Sequence, residues 1–245
     1  MQPEINVFGL TIQSFGLCLG LAFLVAGWMV AKRLKELGRS PDFAYEMVFA
    51  ALIGGIVGAK LWFLAENGGP LFSGTGLTFY GGLLGGALAV CAWAKYKGQL
   101  DLVLTDAVVP SLAAAYAIGR IGCQLAGDGD YGSDWDGPWA MAYPNGTVPI
   151  DTPVHPTPIY ETIVMGGFAL LLWRWRNRWS PGTLSAIYLI GTGLERLLVE
   201  FVRRNADVFL GLTQPQLVSV AMMLVGGAWL FYLRRAQAAP ATRTA

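Results

Sequence analysis

"LTIQSFGLCLGLAFLVAGWMVAKRLKELGR", residues 10–39, decides the fold. Its first part, through Ala31, is apolar over the ~20 residues that a helix needs to cross a bilayer. It then closes on Lys32, Arg33, Lys35 and Arg39. An apolar run stopped by a basic cluster is the signature of a span that ends on the cytoplasmic side. The whole chain has the same character. Of its 245 residues, 54% are hydrophobic and 13% are charged, and the mean hydropathy is +0.49. Soluble domains carry about 25% charged residues, and a soluble fold with this composition would expose large apolar patches.

Working outward, six more runs reach spanning length: about 44–64, 77–94, 102–123, 157–173, 183–201 and 213–233. With 10–31 they predict an all-α membrane protein of seven transmembrane helices, a single integral membrane domain over 1–245. Between the fourth and fifth runs lies a polar insert, about 126–154, rich in Gly, Asp and Pro. It reads as an extramembrane arm or loop, too short for a domain. Lys95 and Lys97 follow the third run, Arg174, Arg176 and Arg178 the fifth, and Arg234, Arg235 and Arg243 the seventh. Seven spans put all these clusters and the first one on the same side, the cytoplasm. The N-terminus and the insert then face outward. The segment MQPEINVFGL lacks a cationic leader region and is expected to be retained.

Five basic residues do not fit this loop pattern: Lys60, Arg120, Arg196, Arg203 and Arg204. They fall inside spans or at their outer ends, where a charge costs at least ~2.5–3.5 kcal/mol on insertion scales. Arg196, Glu200 and Arg203 recur at i, i+4 and i+7, on one helix face. That spacing reads either as a structural ion pair or as a cationic surplus fitted to an anion. Arginine suits phosphate because its planar fork stays charged and donates two parallel hydrogen bonds. Arg120 sits between Gly119 and Gly122 in "AIGRIGCQLAGDGDYG", residues 117–132, with no acidic neighbour in its own span. Its counter-charge must come from another helix, the acidic insert or a ligand.

Other features have plainer readings beside the functional ones. Gly81, Gly82, Gly85 and Gly86 in the third span, and Gly54 and Gly58 in the second, form small-xxx-small pairs suited to close helix crossing. Tyr80 can be an interfacial aromatic or a hydroxyl aimed inward. His155, the only histidine, opens "HPTPIYE" (155–161); it either caps the fifth helix or joins the site, and a lone His argues against a multi-His metal site. Cys18, Cys91 and Cys123 fit small apolar residues better than a disulfide framework. No basic stretch interleaved with stacking aromatics points to nucleic acid. No serine-triad, HExxH or phosphate-loop motif appears.

Taken in order, Tyr80-Gly81-Gly82-Leu83-Leu84-Gly85, Gly119-Arg120-Ile121-Gly122, His155 through Glu161 and Arg196 through Arg203 resemble the prolipoprotein diacylglyceryl transferases over nearly the whole chain. The resemblance implies a bacterial inner-membrane enzyme of lipoprotein biosynthesis with no cofactor. It would move a diacylglyceryl group from phosphatidylglycerol to the lipobox cysteine thiol in a prolipoprotein signal peptide, releasing glycerol phosphate. Its partners would be membrane lipid and that peptide, not nucleic acid. It implies Tyr80, Arg120, His155 and Arg196 as catalytic candidates. Arg120 would hold the lipid phosphate, with Arg196, Glu200, Arg203, Tyr160, Glu161, Gly81, Gly82, Gly119 and Gly122 as further substrate-binding positions. The chain departs from the family pattern at Tyr80, where many members carry His, at Cys123 and Phe15, and in the segment Ala126 to Asp130. The general base stays open between Tyr80, His155 and another group. A divergent paralogue with another acceptor, or a non-enzymatic lipid-binding or transport protein, stands as the alternative.

Overall fold

The structure is a computed structural model and describes residues 1–7, 10–68 and 78–238. Among these residues the elements run β1 (Glu4–Val7), β2 (Leu10–Gln13), α1 (Ser14–Glu36), α2 (Asp42–Asn67), α3 (Phe79–Tyr96) and α4 (Leu102–Ala126). The insert follows with β3 (Met141–Tyr143) and β4 (Ile150–Val154). Then come α5 (Thr157–Trp175), α6 (Thr183–Glu200), β5 (Asp207–Phe209), β6 (Leu212–Thr213) and α7 (Gln214–Ala238). The seven apolar runs thus become seven helices, with ends shifted by a few residues. The expected start of the first span at residue 10 is corrected. Residues 10–13 are a strand paired with 4–7, and the helix begins at Ser14.

Among the described residues, four helices, α1, α2, α4 and α7, are long and apolar enough to cross a membrane. The expectation of seven such helices is met in number but not in this property. α3 and α6 have 18 residues and α5 has 19, and α6 gives up apolar positions to Glu195, Arg196 and Glu200. Large apolar side chains point outward, including Leu24, Leu88, Leu170 and Leu224. In α2 and α7 only 17% of the most apolar stretch is buried. Such surfaces need lipid as their solvent, so this is a multi-pass membrane protein.

The chain divides into two compact units, residues 27–105 and residues 1–26 with 106–245. In the first, α2 and α3 cross so closely that a Cβ on Gly58 would lie 2.7 Å from the Gly85 Cα, and one on Gly54 would lie 2.6 Å from the Gly85 carbonyl oxygen. Glycine is required there for backbone contact. Arg39 pairs with Asp101, which also accepts from the Leu104 amide at 2.7 Å and so caps α4.

In the second unit, Val109, Ala113 and Ala117 of α4 pack on Met165, Ala169 and Leu172 of α5 and Leu184 of α6. These residues recur every third or fourth position, as a buried helix stripe does. Asp106 of α4 accepts from the Gly182 and Ser185 amides, both at 2.8 Å, and neutralises the N-terminal end of α6. The insert is folded. Tyr131, Tyr143 and Val154 form its small core, with the two rings stacked at 5.0 Å. The Tyr143 hydroxyl donates to Gln124 at the end of α4 (2.9 Å), and burial pushes this phenol up to about 12. The Ser133 amide donates to the Val202 carbonyl at 2.7 Å, tying the insert to the end of α6.

Candidate active site

The polar centre of the second unit is assembled around Glu161. Pro156 and Pro158 start α5, with Pro158 near its first position, where a missing N–H costs nothing. Glu161 follows one turn later with its side chain at 0% exposure. An isolated carboxylate there would be prohibitively expensive. Three partners compensate it. Tyr116 of α4 donates its hydroxyl to Oε1 at 2.8 Å. Arg196 of α6 donates to the same oxygen at 2.9 Å. Arg120 of α4 brings its Nε to 3.1 Å of Oε2. This last contact is an ion pair without good hydrogen-bond alignment, since Oε2 has no partner meeting that geometry. The Nη1 of Arg203 stands 3.9 Å from the same atom.

Glu200, also at 0% side-chain exposure, forms a second node. Its Oε2 lies 3.0 Å from Arg196 and 3.8 Å from Arg203. Its Oε1 accepts from Asn205 (2.6 Å) and Thr213 (2.8 Å). Helix α6 ends at Glu200, so Arg203 reaches the cluster from the turn beyond it and not from the seventh position of a continuing helix. The third carboxylate comes from the insert. Asp130 pairs with both Arg120 and Arg203. Its carbonyl accepts from Arg203 at 2.9 Å and from the Thr157 hydroxyl at 2.5 Å. Burial opposes ionisation of Asp130, but Arg120 and Arg203 outweigh it and hold the carboxyl at about 2. Gly127 (φ 59°) and Gly129 (φ 91°) give the chain the left-handed turns that bring Asp130 back over the arginines.

The expected cationic surplus is therefore corrected. Arg120, Arg196 and Arg203 face Glu161, Glu200 and Asp130, three charges against three. The counter-charge of Arg120 comes from another helix and from the insert together.

The remaining sequence candidates fall into separate settings. The His155 Nδ1 shares a 3.2 Å hydrogen bond with the Tyr160 hydroxyl, and the His155 ring stacks on Trp135 at 4.4 Å. Tyr160 also accepts from Trp139 at 2.7 Å. These residues make an aromatic group at the head of α5, and none of their described hydrogen bonds goes to the three arginines. Gly122 packs on α1, where a Cβ would lie 2.9 Å from the Cys18 Cβ, whereas a Cβ on Gly119 would meet nothing within 4 Å. Tyr80, Gly81 and Gly82 belong to the other unit, in the first turn of α3, and Gly81 lies at the crossing with Gly58. Lys60 is buried in α2. Arg204 pairs with the exposed Asp134 and stands outside the cluster.

Cys123, Asp128 and Asp130 bring possible metal-ligand atoms within 4.8 Å of one another. Burial and the charge of Asp130 push the Asp128 carboxyl up. Asp130 is already committed to two arginines, so a cation there would have to compete with both.

The deciding observation is the match to known proteins. Residues 3–232 match the family model described as prolipoprotein diacylglyceryl transferase. The chain belongs to the prolipoprotein diacylglyceryl transferase family. A phosphatidylglycerol–prolipoprotein diacylglyceryl transferase of Leptospira interrogans (serovar copenhageni) is 33% identical over 244 residues, covering 85% of this chain and 76% of its own length. That of Clostridium tetani is 33% identical over 239 residues, covering 92% and 95%. That of Methylococcus capsulatus is 32% identical over 253 residues, covering 92% and 93%. In this diacylglyceryl transferase family member, two residues of the cluster had no place among the sequence candidates. Tyr116 is one helical turn before Arg120, and that spacing could have found it. Asp130 was visible only as one acidic residue in GDGDYG.

Proposed function

We propose that this protein transfers the diacylglyceryl group of phosphatidylglycerol to the lipobox cysteine thiol of a prolipoprotein. The thiol gives up its proton to a base, its sulfur attacks the glyceryl carbon as the thiolate, and a C–S bond forms. The C–O bond to phosphate breaks with its electron pair on the phosphate oxygen, and glycerol phosphate leaves. The observation that carries this reading is the gathering of three arginine forks on two buried carboxylates and one partly exposed one. The names of its relatives give phosphatidylglycerol and a prolipoprotein as the substrates of those proteins, which supports the reading.

Arg120 and Arg203 bind the lipid phosphate, and Arg196, held by Glu161 and Glu200, adds its charge to the field that neutralises the negative charge building as the C–O bond breaks. Guanidinium groups fixed beforehand in a poorly hydrated place do this without reorganisation. Because each arginine is already paired with a carboxylate, an arriving phosphate must replace one of those partners. Glu161 and Glu200 have side chains with 0% exposure and several donors each. Asp130 is 30% exposed and rides on the insert. Asp130 is the carboxylate that yields, and the phosphate takes its place against Arg120 and Arg203. His155 and Tyr160, at the head of α5, orient the substrates.

The same reading takes the chain as one integral domain of seven spans in the bacterial inner membrane. The N-terminus and insert are periplasmic and the C-terminus is cytoplasmic. The outward-facing Leu88 of α3 and Leu170 of α5 support spans at those helices, and the one-sided basic clusters support the orientation. The test is reconstitution in phosphatidylglycerol vesicles with a lipobox peptide. The expected result is a thioether-linked peptide with an equal amount of glycerol phosphate. A well-folded preparation that yields neither overturns the reading.

A further inference from the structure

Glu195 lies on α6 immediately before Arg196, is 7% exposed, and neither of its carboxylate oxygens has a hydrogen-bond partner among the described residues. Its position follows from how α5 and α6 run past each other. A Cβ on Gly191 would lie 2.7 Å from the Phe168 Cε1, and Phe168 stacks on Tyr188. Arg196 meets Glu161, two turns nearer the start of α5 than Phe168. The two helices are therefore antiparallel here, and Tyr188, Gly191 and Glu195 share one stripe along α5. Glu195 thus ends that stripe at the level of the arginine cluster.

Each of the other three carboxylates of the cluster is held by arginine. Protonating Glu161, Glu200 or Asp130 would break at least one ion pair. Glu195 can bind and release a proton without breaking any.

We propose that Glu195 holds the proton that the acceptor thiol must lose. The inference rests on the transferase reading. The S–H bond breaks, its proton passes to a Glu195 carboxylate oxygen, and the bonding pair stays on sulfur as the thiolate nucleophile. After the C–S bond forms and the C–O bond breaks, the proton leaves Glu195 for the departing phosphate oxygen or for water, and the carboxylate is restored. The charged and titratable groups whose fields reach Glu195 are Tyr116 and Arg120 of α4, Glu161 of α5, Tyr188 and Arg196 of α6, and Arg203. Helix α7, whose Met222 and Met223 lie beside Gly193, presents no titratable side chain from Gln214 to Phe231.

The test compares wild type, Glu195→Gln and Glu195→Asp for transfer from phosphatidylglycerol vesicles to a lipobox peptide. The pH runs from about 6 to about 9, across the ordinary thiol value of about 8.5. Glu195→Gln is expected to lose about 10²-fold in rate near neutrality, the usual contribution of a placed acid or base, with lipid binding unchanged. The deficit should shrink as pH rises, because the thiol then ionises without help. Glu195→Asp should recover at least about a tenth of the wild-type rate. The proposal is overturned by a Gln variant equal to wild type, by a deficit of the same size at every pH, or by an Asp variant as slow as Gln. A wild type that transfers nothing overturns the transferase reading instead.

Discussion

The α2–α3 crossing and the arginine cluster are held together in opposite ways. At the crossing, Gly54 and Gly58 meet Gly81 and Gly85 with no room for another atom. Stability there comes from many weak contacts between backbones, and it is lost when something is added. In the cluster, six charged groups neutralise one another at low exposure. Stability there is lost when something is removed, because a partner is left as a buried, uncompensated charge. One region therefore tolerates no larger residue and the other tolerates no smaller charge count. In the proposed reading, only the second exchanges one of its members for a substrate anion.

The sharpest way to break this contrast is Glu161→Leu, which strips the shared counter-ion from Arg120 and Arg196. It should destabilise the protein by about 3–5 kcal/mol, read by thermal unfolding in detergent. A melt like that of wild type would mean that the ion pairs do not hold the unit together. Next is Gly58→Leu at the crossing, expected to cost about 1–3 kcal/mol or more by overpacking. Its control is Gly167→Ala, where an added Cβ meets nothing within 4 Å. That variant should be neutral or gain up to about 1 kcal/mol.

Asp130→Asn separates charge from shape in the cluster. Asp130 is held at about 2 in the folded protein, below the ordinary carboxylate value of about 3.9. Its stabilising charge is fully present above about pH 4 and fades as pH falls through about 2. The Asn variant should therefore be less stable than wild type by about 1–2 kcal/mol at neutral pH. The difference should vanish in melts taken between about pH 4 and about pH 2, and a difference constant with pH would contradict the ionised assignment. Smallest is Arg204→Ala. It removes an ion pair whose members are 40% and 73% exposed and should cost less than about 1 kcal/mol.

The glycine pairs were legible in the sequence because their signal is local: glycines four apart in a helix suit close crossing, but which helix each pair meets was not readable. The helices were legible for the same reason. The cluster was legible only in half. Arg120, Arg196, Glu200 and Arg203 stood out because charge in an apolar run is rare, and Glu161 stood out at the head of a helix. Their pairing was not legible, because Arg120 meets Glu161 and Asp130 meets Arg203 across 41 and 73 positions of chain. A helix face shows which residues share a side, but it does not show which distant carboxylate arrives there. The count of Arg196 and Arg203 against Glu200 suggested a cationic surplus, and the folded insert cancels it. The two-residue turn of the β5–β6 hairpin was also unreadable. It places Leu210 at φ 52° beside Gly211, where sequence favours Asn or Gly.

The central claim is that the arginine forks, and not positive charge alone, hold the lipid phosphate. Arg120→Lys tests it most directly, because lysine keeps the charge against Glu161 and Asp130 but loses the planar fork. Transfer from phosphatidylglycerol to a lipobox peptide, measured on folded variant at saturating peptide, should fall by about 10²-fold or more. A rate within about twofold of wild type would contradict the claim.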